Sequence, residues 1–355
     1  MQPHYLIAAV WIILAAIAII VILTYSRLYF KKRIHLYNTG IRRQLEHFIS
    51  DMIFYEPEER PGISREFVRI VKNPLGRRLI VDELINCKKN FTGVTAQNIV
   101  ALYEQLDLKK YSLRKLNSGK WHIKARGIQE LYLMGQSDTI KRIYRHINNK
   151  HEFVRMEAQS GVIHLLGFEG LRFLDVIDHP LTEWQQLKLL EQLGHLKMNV
   201  RLSAAIPRWL RSPNDTVVLF GLKLITEFQQ LALHDEVLQC LSHTGEAVRV
   251  QAVATLVRIA DEKTARSLAA HFPRETPAGK LAILDGLIKI ATEEQAPFLT
   301  GLLDDDHETA IVKLKAGKAL ALNSDNGLAI LAGMGARRPH PYEEIYLHIK
   351  SEITK

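Results

Sequence analysis

The stretch "EAVRVQAVATLV", residues 246–257, places one charged side chain, Arg249, inside an apolar run at helical spacing. The stretch "HEFVRMEAQSGV", residues 151–162, contains the same Val-Arg step, and a small residue follows the arginine by three positions in both. A charge in an apolar helix needs a partner or a route to water. Two copies of one pattern also indicate an internal repeat, which determines the whole fold.

Further copies fall into register at a step of 31 or 32 residues. In each strong copy an aliphatic residue precedes a lysine or arginine, and a glycine or alanine follows. The strong copies are "HIKARGIQEL" from His122, "FVRMEAQSGV" from Phe153, "AVRVQAVATL" from Ala247 and "IVKLKAGKAL" from Ile311. Their basic residues are Lys124, Arg155, Arg249 and Lys313, and their small residues are Gly127, Ala158, Ala252 and Ala316. Weaker copies begin at Gln185, Thr216 and Gly279.

Short polar or proline-bearing segments precede these helices, for example "SPND" at 212, "TPAG" at 276 and "DDDHE" at 304. Such residues cap helix N-termini and end the preceding helix. A second apolar-periodic segment lies between successive lead-ins, so each unit is predicted to be a helical hairpin. One hairpin of this size cannot bury its apolar face alone, so the units must stack.

These features resemble the HEAT-repeat family in its short form with a Val-Arg-x-x-Ala first helix. The resemblance implies an all-α fold, a right-handed α-solenoid of stacked hairpins. It also implies that Lys124, Arg155, Arg249 and Lys313 connect one repeat to the next. The residues agree with that role, because a cation near a helix N-terminus is disfavoured by the helix dipole and must be held by a neighbouring acid or carbonyl.

The N-terminus has a different composition. From Leu6 to Leu23 every residue is apolar, which at about 1.5 Å per residue approaches the thickness of a bilayer core. Basic residues follow this run, which predicts a single-pass transmembrane anchor with the N-terminus outside and the rest in the cytoplasm. The predicted organisation is an anchor at 1–26, a basic juxtamembrane helix and linker at 27–60, a helical cap at 61–120, HEAT-like repeats at 121–335 and a C-terminal capping helix at 336–355.

Positive charge is concentrated towards the N-terminal half of a chain whose net charge is +9. The candidate residues for a membrane-interface or anionic-partner patch are Arg27, Lys31, Lys32, Arg33, Arg42, Arg43, Lys120, Lys124, Arg126, Lys141, Arg142 and Arg145. Three interpretations remain open: contact with anionic headgroups, binding of an acidic protein or phosphorylated ligand, or an ordinary solvated face. Nucleic acid is not expected, because the patch lacks base-stacking aromatic residues.

No nucleotide-binding, metalloprotease, hydrolase or calcium-binding motif occurs, so we expect no catalytic or metal site and no cofactor. The cluster "DDDHE" at 304–308 is interpreted as a solvated capping turn in preference to a metal site. Cys87 and Cys240 are far apart and lack ligand spacing, which is typical of buried thiols in a reducing compartment.

The sequence therefore predicts a membrane-tethered cytoplasmic scaffold without enzymatic activity that binds protein partners, as an accessory subunit of a bacterial membrane complex. A membrane glycosyltransferase or transporter is the expected class of partner, together with the lipid bilayer. Two alternatives stay open. One is an enzyme on a HEAT-like scaffold, such as a lyase acting on a bound cofactor, and the other is a sensor that binds an anionic ligand in the basic patch.

Overall fold

The computed structural model describes residues 65–194 and 200–353, together with residues 11, 14–29, 31–32, 39, 43, 46–47 and 50–51. Every regular element within these residues is helical, and none of them forms a strand. The prediction of an all-α fold is confirmed. The chain divides into two compact units, residues 1–146 with 150–161 and residues 147–149 with 162–355.

The prediction of a transmembrane anchor at 1–26 is wrong for the part of the chain that the structure describes. No helix there combines the length and the apolar character needed to cross a membrane. The same finding contradicts the predicted single-pass membrane location with the N-terminus outside. Residues 1–10, 12 and 13 lie outside the described residues.

The first unit is built from short helices around one apolar core. Its helices are α1 (Arg65–Lys72), α2 (Pro74–Asn90), α3 (Gly93–Gln105), α4 (Lys109–Leu116), α5 (Trp121–Leu133) and α6 (Ile140–Tyr144). The next helix, α7 (Glu152–Leu166), begins in this unit and ends in the second. Buried side chains of α1, α2 and α3 form the core, including the fully buried Leu84 and Tyr103.

Helices α4 and α5 pack with their backbones very close together, and the small residue of this repeat allows it. A Cβ atom on Gly127 of α5 would lie 2.4 Å from the backbone nitrogen of Leu116 and 2.8 Å from the carbonyl carbon of Lys115. No real Cβ contact is that short, so only glycine fits at this position. The close approach brings Lys115 beside Arg126, which matters for the groove described below.

The second unit is a regular succession of helical hairpins. Its helices are α8 (Glu183–Gly194), α9 (Val200–Trp209), α10 (Asp215–Glu227), α11 (His234–Gln239), α12 (Glu246–Arg258), α13 (Thr264–His271), α14 (Pro277–Ile290), α15 (Ala296–Asp304), α16 (Ala310–Asn323), α17 (Gly327–Arg337) and α18 (Pro339–Ile353). The first helices α10, α12, α14 and α16 pack against one another in order, and the second helix of each hairpin packs beside its own first helix or the next. This part of the chain is therefore repeat-like, while the right-handed sense of the stack stays a prediction.

The lead-in segments start the first helices as their composition predicts. The side chains of Asn214, Thr276 and Thr309 accept hydrogen bonds from backbone N–H groups in the first turns of α10, α14 and α16. Pro277 occupies the first position of α14, where its missing N–H costs nothing. The caps fix where each first helix begins, and this sets the register of the basic residue that follows.

Candidate functional site

Arg249 is held by the next repeat. Its Nε donates to both carboxylate oxygens of Glu275, at 2.9 and 3.2 Å, and its Nη1 donates to the carbonyl oxygens of His243 and Thr244 at 3.0 and 3.1 Å. Glu275 lies in the lead-in to α14, and only 1% of its side chain is exposed. His271 Nε2 lies 3.1 Å from the same carboxylate. The charge in the apolar run of α12 is thus an inter-repeat contact.

The following repeat makes the same kind of contact with a residue whose role the sequence patterns did not reveal. Lys280 of α14 donates to Glu308 Oε1 at 2.5 Å, and both side chains are largely buried. Lys280 stands 31 positions after Arg249, so the repeat register was the signal that could have found it. Glu308 belongs to the acidic segment 304–308, which therefore supplies an inter-repeat partner for α14.

The other three predicted inter-repeat residues, Lys313, Arg155 and Lys124, differ from one another in their contacts. Lys313 of α16 is buried, and its Nζ donates to the Tyr342 hydroxyl at 3.3 Å, which in turn donates to the Leu303 carbonyl at 2.6 Å. Arg155 Nη1 donates to the carbonyl oxygen of Lys150 at 3.2 Å, in the lead-in of its own helix. Lys124 is half-buried and forms no ion pair among the described residues. Lys313 Nζ also lies 4.0 Å from Asp306 Oδ1, an exposed carboxylate in the lead-in of its own helix, whereas the carboxylates that contact Arg249 and Lys280 are largely buried.

The basic residues of the first unit divide into paired and unpaired groups. Lys109 pairs with Asp138 at 2.7 Å, and Lys110 pairs with Asp107. Of the predicted patch, only Arg126 is tied into carboxylates within the described chain. Between residues 120 and 145, the patch residues that form no ion pair within the described chain are Lys120, Lys124, Lys141, Arg142 and Arg145. The positive surface available to a partner is therefore smaller than the composition implies.

The remaining patch residues precede α1 in the sequence. Arg27, Lys31, Lys32 and Arg43 are exposed, whereas Arg33 and Arg42 lie outside the described residues.

Charge affects the titration of one histidine on this surface. Burial, and then the positive charges of Lys124 and Arg145, lower the pKa of His146. Two of the unpaired cations therefore lie within electrostatic range of one imidazole, although they are 21 positions apart in sequence.

An aromatic cluster, Trp121, His151 and Phe153, lies at the start of α5 and α7. The Trp121 and His151 rings stack with centroids 4.2 Å apart and an interplanar angle of 12°, and Trp121 and Phe153 stack at 5.5 Å and 22°. Trp121 is 44% exposed and Phe153 is 55% exposed. The expectation that the patch lacks stacking aromatic residues is wrong, because Lys120 and Lys124 flank Trp121, which stacks on His151 and Phe153. Their exposure follows from their position at the helix N-termini, outside the stripe that faces the core.

A basic groove of about 690 Å³ runs between α2 and α5. Charged residues dominate its wall, and Glu130 is buried next to them with 1% of its side chain exposed. Glu130 Oε1 accepts from Lys115 Nζ at 2.6 Å and from Arg126 Nε at 3.1 Å, and Oε2 accepts from the Ser112 hydroxyl at 2.7 Å. The lining residues are Arg78, Asp82, Ile85, Asn86, Lys89, Lys115, His122, Ile123, Arg126 and Gln129.

Neither cysteine has the surroundings of a reactive thiol. Burial raises the pKa of Cys240 to about 11. Burial, followed by the negative charges of Glu83 and Glu46, also raises the pKa of Cys87. Both thiols stay protonated near neutral pH, and a protonated thiol is a poor nucleophile. Among the described residues, no group of three or more His, Cys, Asp or Glu side chains is arranged to hold a metal ion.

Comparisons with known proteins add little to this description. No family model matches the chain, and no curated protein matches it. Among solved structures, a crystal structure of an engineered protein is 10% identical and matches with a TM-score of 0.36, over 88% of this chain and 95% of that protein. A similarity at this TM-score carries no argument about fold or function.

Proposed function

We propose that this chain is a HEAT-like helical-repeat scaffold that binds an acidic protein partner through its first unit. The observation that supports the proposal best is the aromatic cluster beside unpaired cations. Lys120 precedes Trp121 directly, and Lys124 lies three residues after it, on the same face of α5. Interfaces are enriched in exposed aromatic residues, which supply most of the binding free energy, while surrounding cations select an acidic partner.

The repeat architecture supports the same function. Stacked hairpins present many side chains from a fixed framework, and such proteins use extended surfaces for binding. In the second unit the buried contacts of Arg249 with Glu275 and of Lys280 with Glu308 hold successive repeats together. A framework held by internal contacts does not need the partner in order to fold. The expected partner class of a membrane glycosyltransferase or transporter depended on the anchor and is not carried forward.

The test compares the full chain with Trp121→Ala/Phe153→Ala as bait. Trp184→Ala is the matched control, because Trp184 is also exposed and occupies the second position of α8, as Phe153 does in α7. A genuine partner is retained by the wild type and the control and lost by the double variant. With purified components we expect the double variant to bind about tenfold more weakly or worse, since interface aromatic residues contribute about 2 kcal/mol.

Charge reversal provides a second criterion. Lys120→Glu/Lys124→Glu should slow association most strongly at low salt, because exposed charges attract over roughly 10 Å in about 0.1 M salt and are screened at higher salt. The proposal is refuted if no protein depends on the aromatic cluster for retention. It is also refuted if the retained protein binds the charge-reversed variant equally well at every salt concentration.

A further inference from the structure

We propose that the basic groove between α2 and α5 is a binding site for a phosphorylated small molecule. A volume of about 690 Å³ lies within the usual range for ligand pockets, roughly 300–1,000 Å³. Inorganic phosphate alone would leave most of this space empty, whereas a phosphorylated metabolite would fill it. No residue of the aromatic cluster lines the groove, although Trp121 packs edge-on against His122 of its wall with ring centroids 5.5 Å apart, and the proposal does not depend on the scaffold function.

The charges of the groove favour an anion. Four cationic side chains (Arg78, Lys89, Lys115 and Arg126) face two carboxylates, Asp82 in the wall and Glu130 behind it, which leaves a net charge of +2. A concave site with a surplus of one charge sign concentrates ligands of the opposite sign.

Two of the cations are held in place before any ligand arrives. Glu130 Oε1 accepts hydrogen bonds from Lys115 and Arg126, and Glu130 Oε2 accepts one from the Ser112 hydroxyl. Arg126 also donates to Asp82 and to Gln129 Oε1. The side chains of Lys115 and Arg126 therefore lose little conformational freedom when a ligand binds, which favours affinity.

Three cations of the groove, Lys115, Lys89 and Arg78, have N–H groups that can donate hydrogen bonds to a ligand. The Lys115 ammonium has three N–H groups, and within the described chain one of them donates to Glu130. Lys89 forms no ion pair in the described chain, and Arg78 approaches Asp82 only at 3.8 Å. A phosphate group offers several acceptor oxygens to such donors, and charge-assisted hydrogen bonds of this kind are strong.

Isothermal titration of the full chain with pyrophosphate tests the proposal, with ionic strength held constant by chloride. We expect saturable binding with one site per chain and a dissociation constant below about 1 mM. Arg78→Ala/Lys89→Ala should weaken binding by at least about tenfold, because each side chain loses a charge-assisted contact. These positions lie outside the Glu130 hydrogen bonds, so the fold is retained.

The matched control is Arg258→Ala/Lys263→Ala, which removes the same charge from exposed positions of the second unit. Binding by this control should equal that of the wild type. The proposal is overturned if pyrophosphate does not bind at constant ionic strength, or if the control weakens binding as much as the groove variant. Phosphorus NMR line broadening provides the same comparison without relying on heat.

Discussion

Replacing Arg249 with methionine tests the inter-repeat contact of the second unit. The substitution keeps an apolar stem over the surface of α12 and removes the guanidinium that donates twice to Glu275 and to two carbonyl oxygens. It leaves a carboxylate that is 1% exposed, with His271 and the backbone N–H of Thr276 as its remaining neighbours. Removing one partner of a buried ion pair costs about 3–5 kcal/mol. Because His271 can still hydrogen-bond to the carboxylate, we expect the free energy of unfolding to fall by an amount near the lower end of this range, about 3 kcal/mol.

A double-mutant cycle isolates the pairwise part of this loss. Glu275→Gln keeps the shape and one acceptor oxygen but removes the charge that Arg249 contacts. If Arg249 and Glu275 stabilise the fold through their mutual contact, the double variant loses less free energy of unfolding than the two single variants lose in sum. We expect a coupling free energy of about 2 kcal/mol. The matched control is the pair of Arg266 and Glu294, which also joins neighbouring repeats but is 67% and 50% exposed. Its coupling should be about 0.5 kcal/mol.

Urea denaturation followed by circular dichroism and by tryptophan fluorescence gives these free energies. Two probes are needed because long repeat arrays can lose cooperativity. Hydrogen exchange should show the loss of protection concentrated in α12 and α14, since each repeat depends on its neighbours. A coupling as small as that of the exposed control pair would refute the reasoning.

Two further predictions concern Gly127 and His146 of the first unit. Gly127→Ala should destabilise the chain by about 1–3 kcal/mol in urea denaturation, because its Cβ would overlap the α4 backbone, whereas Gly301→Ala, with nothing within 4 Å, should gain about 0.5–1 kcal/mol. Lys124→Gln should raise the pKa of His146 in an NMR titration, while Lys141→Gln should leave it unchanged. Because the pKa of His146 is lowered by folding, the unfolded chain binds the proton more readily, so stability falls as pH decreases below about 6.5. Lys124→Gln should reduce that dependence, and equal effects of both substitutions would contradict the geometry.

The helical hairpins could be predicted from sequence because their signals are local. Capping residues such as Asn214 and Thr276 and the period of the apolar residues act within one helix or between adjacent ones. The basic residue of each first helix could be found in the same way. Its partner could not, because the rotation of one helix against the next decides which acid it meets. Glu275 and Glu308 carry no pattern that distinguishes them from solvated acids.

The basic groove also could not be predicted from the sequence. Arg126 meets Asp82 across 44 positions, and Glu130 is buried among cations that composition alone assigns to an exposed patch. The N-terminal prediction failed for a different reason. An apolar run indicates a spanning helix only if a continuous helix of the required length coincides with it, and no helix in the described part of the chain meets both conditions. Composition alone does not establish that coincidence.

The central claim is that successive hairpins of the second unit stack in register, and a cysteine crosslink tests it most directly. The Thr226 and Thr255 hydroxyl oxygens lie 3.2 Å apart, although the residues belong to the first helices of different repeats. In a chain with Cys87 and Cys240 replaced by serine, Thr226→Cys/Thr255→Cys should form a disulfide under mild oxidation, detected by mass spectrometry. Thr226→Cys/Thr276→Cys should remain reduced. A reduced first pair, or equal crosslinking of both pairs, would contradict the stacked register.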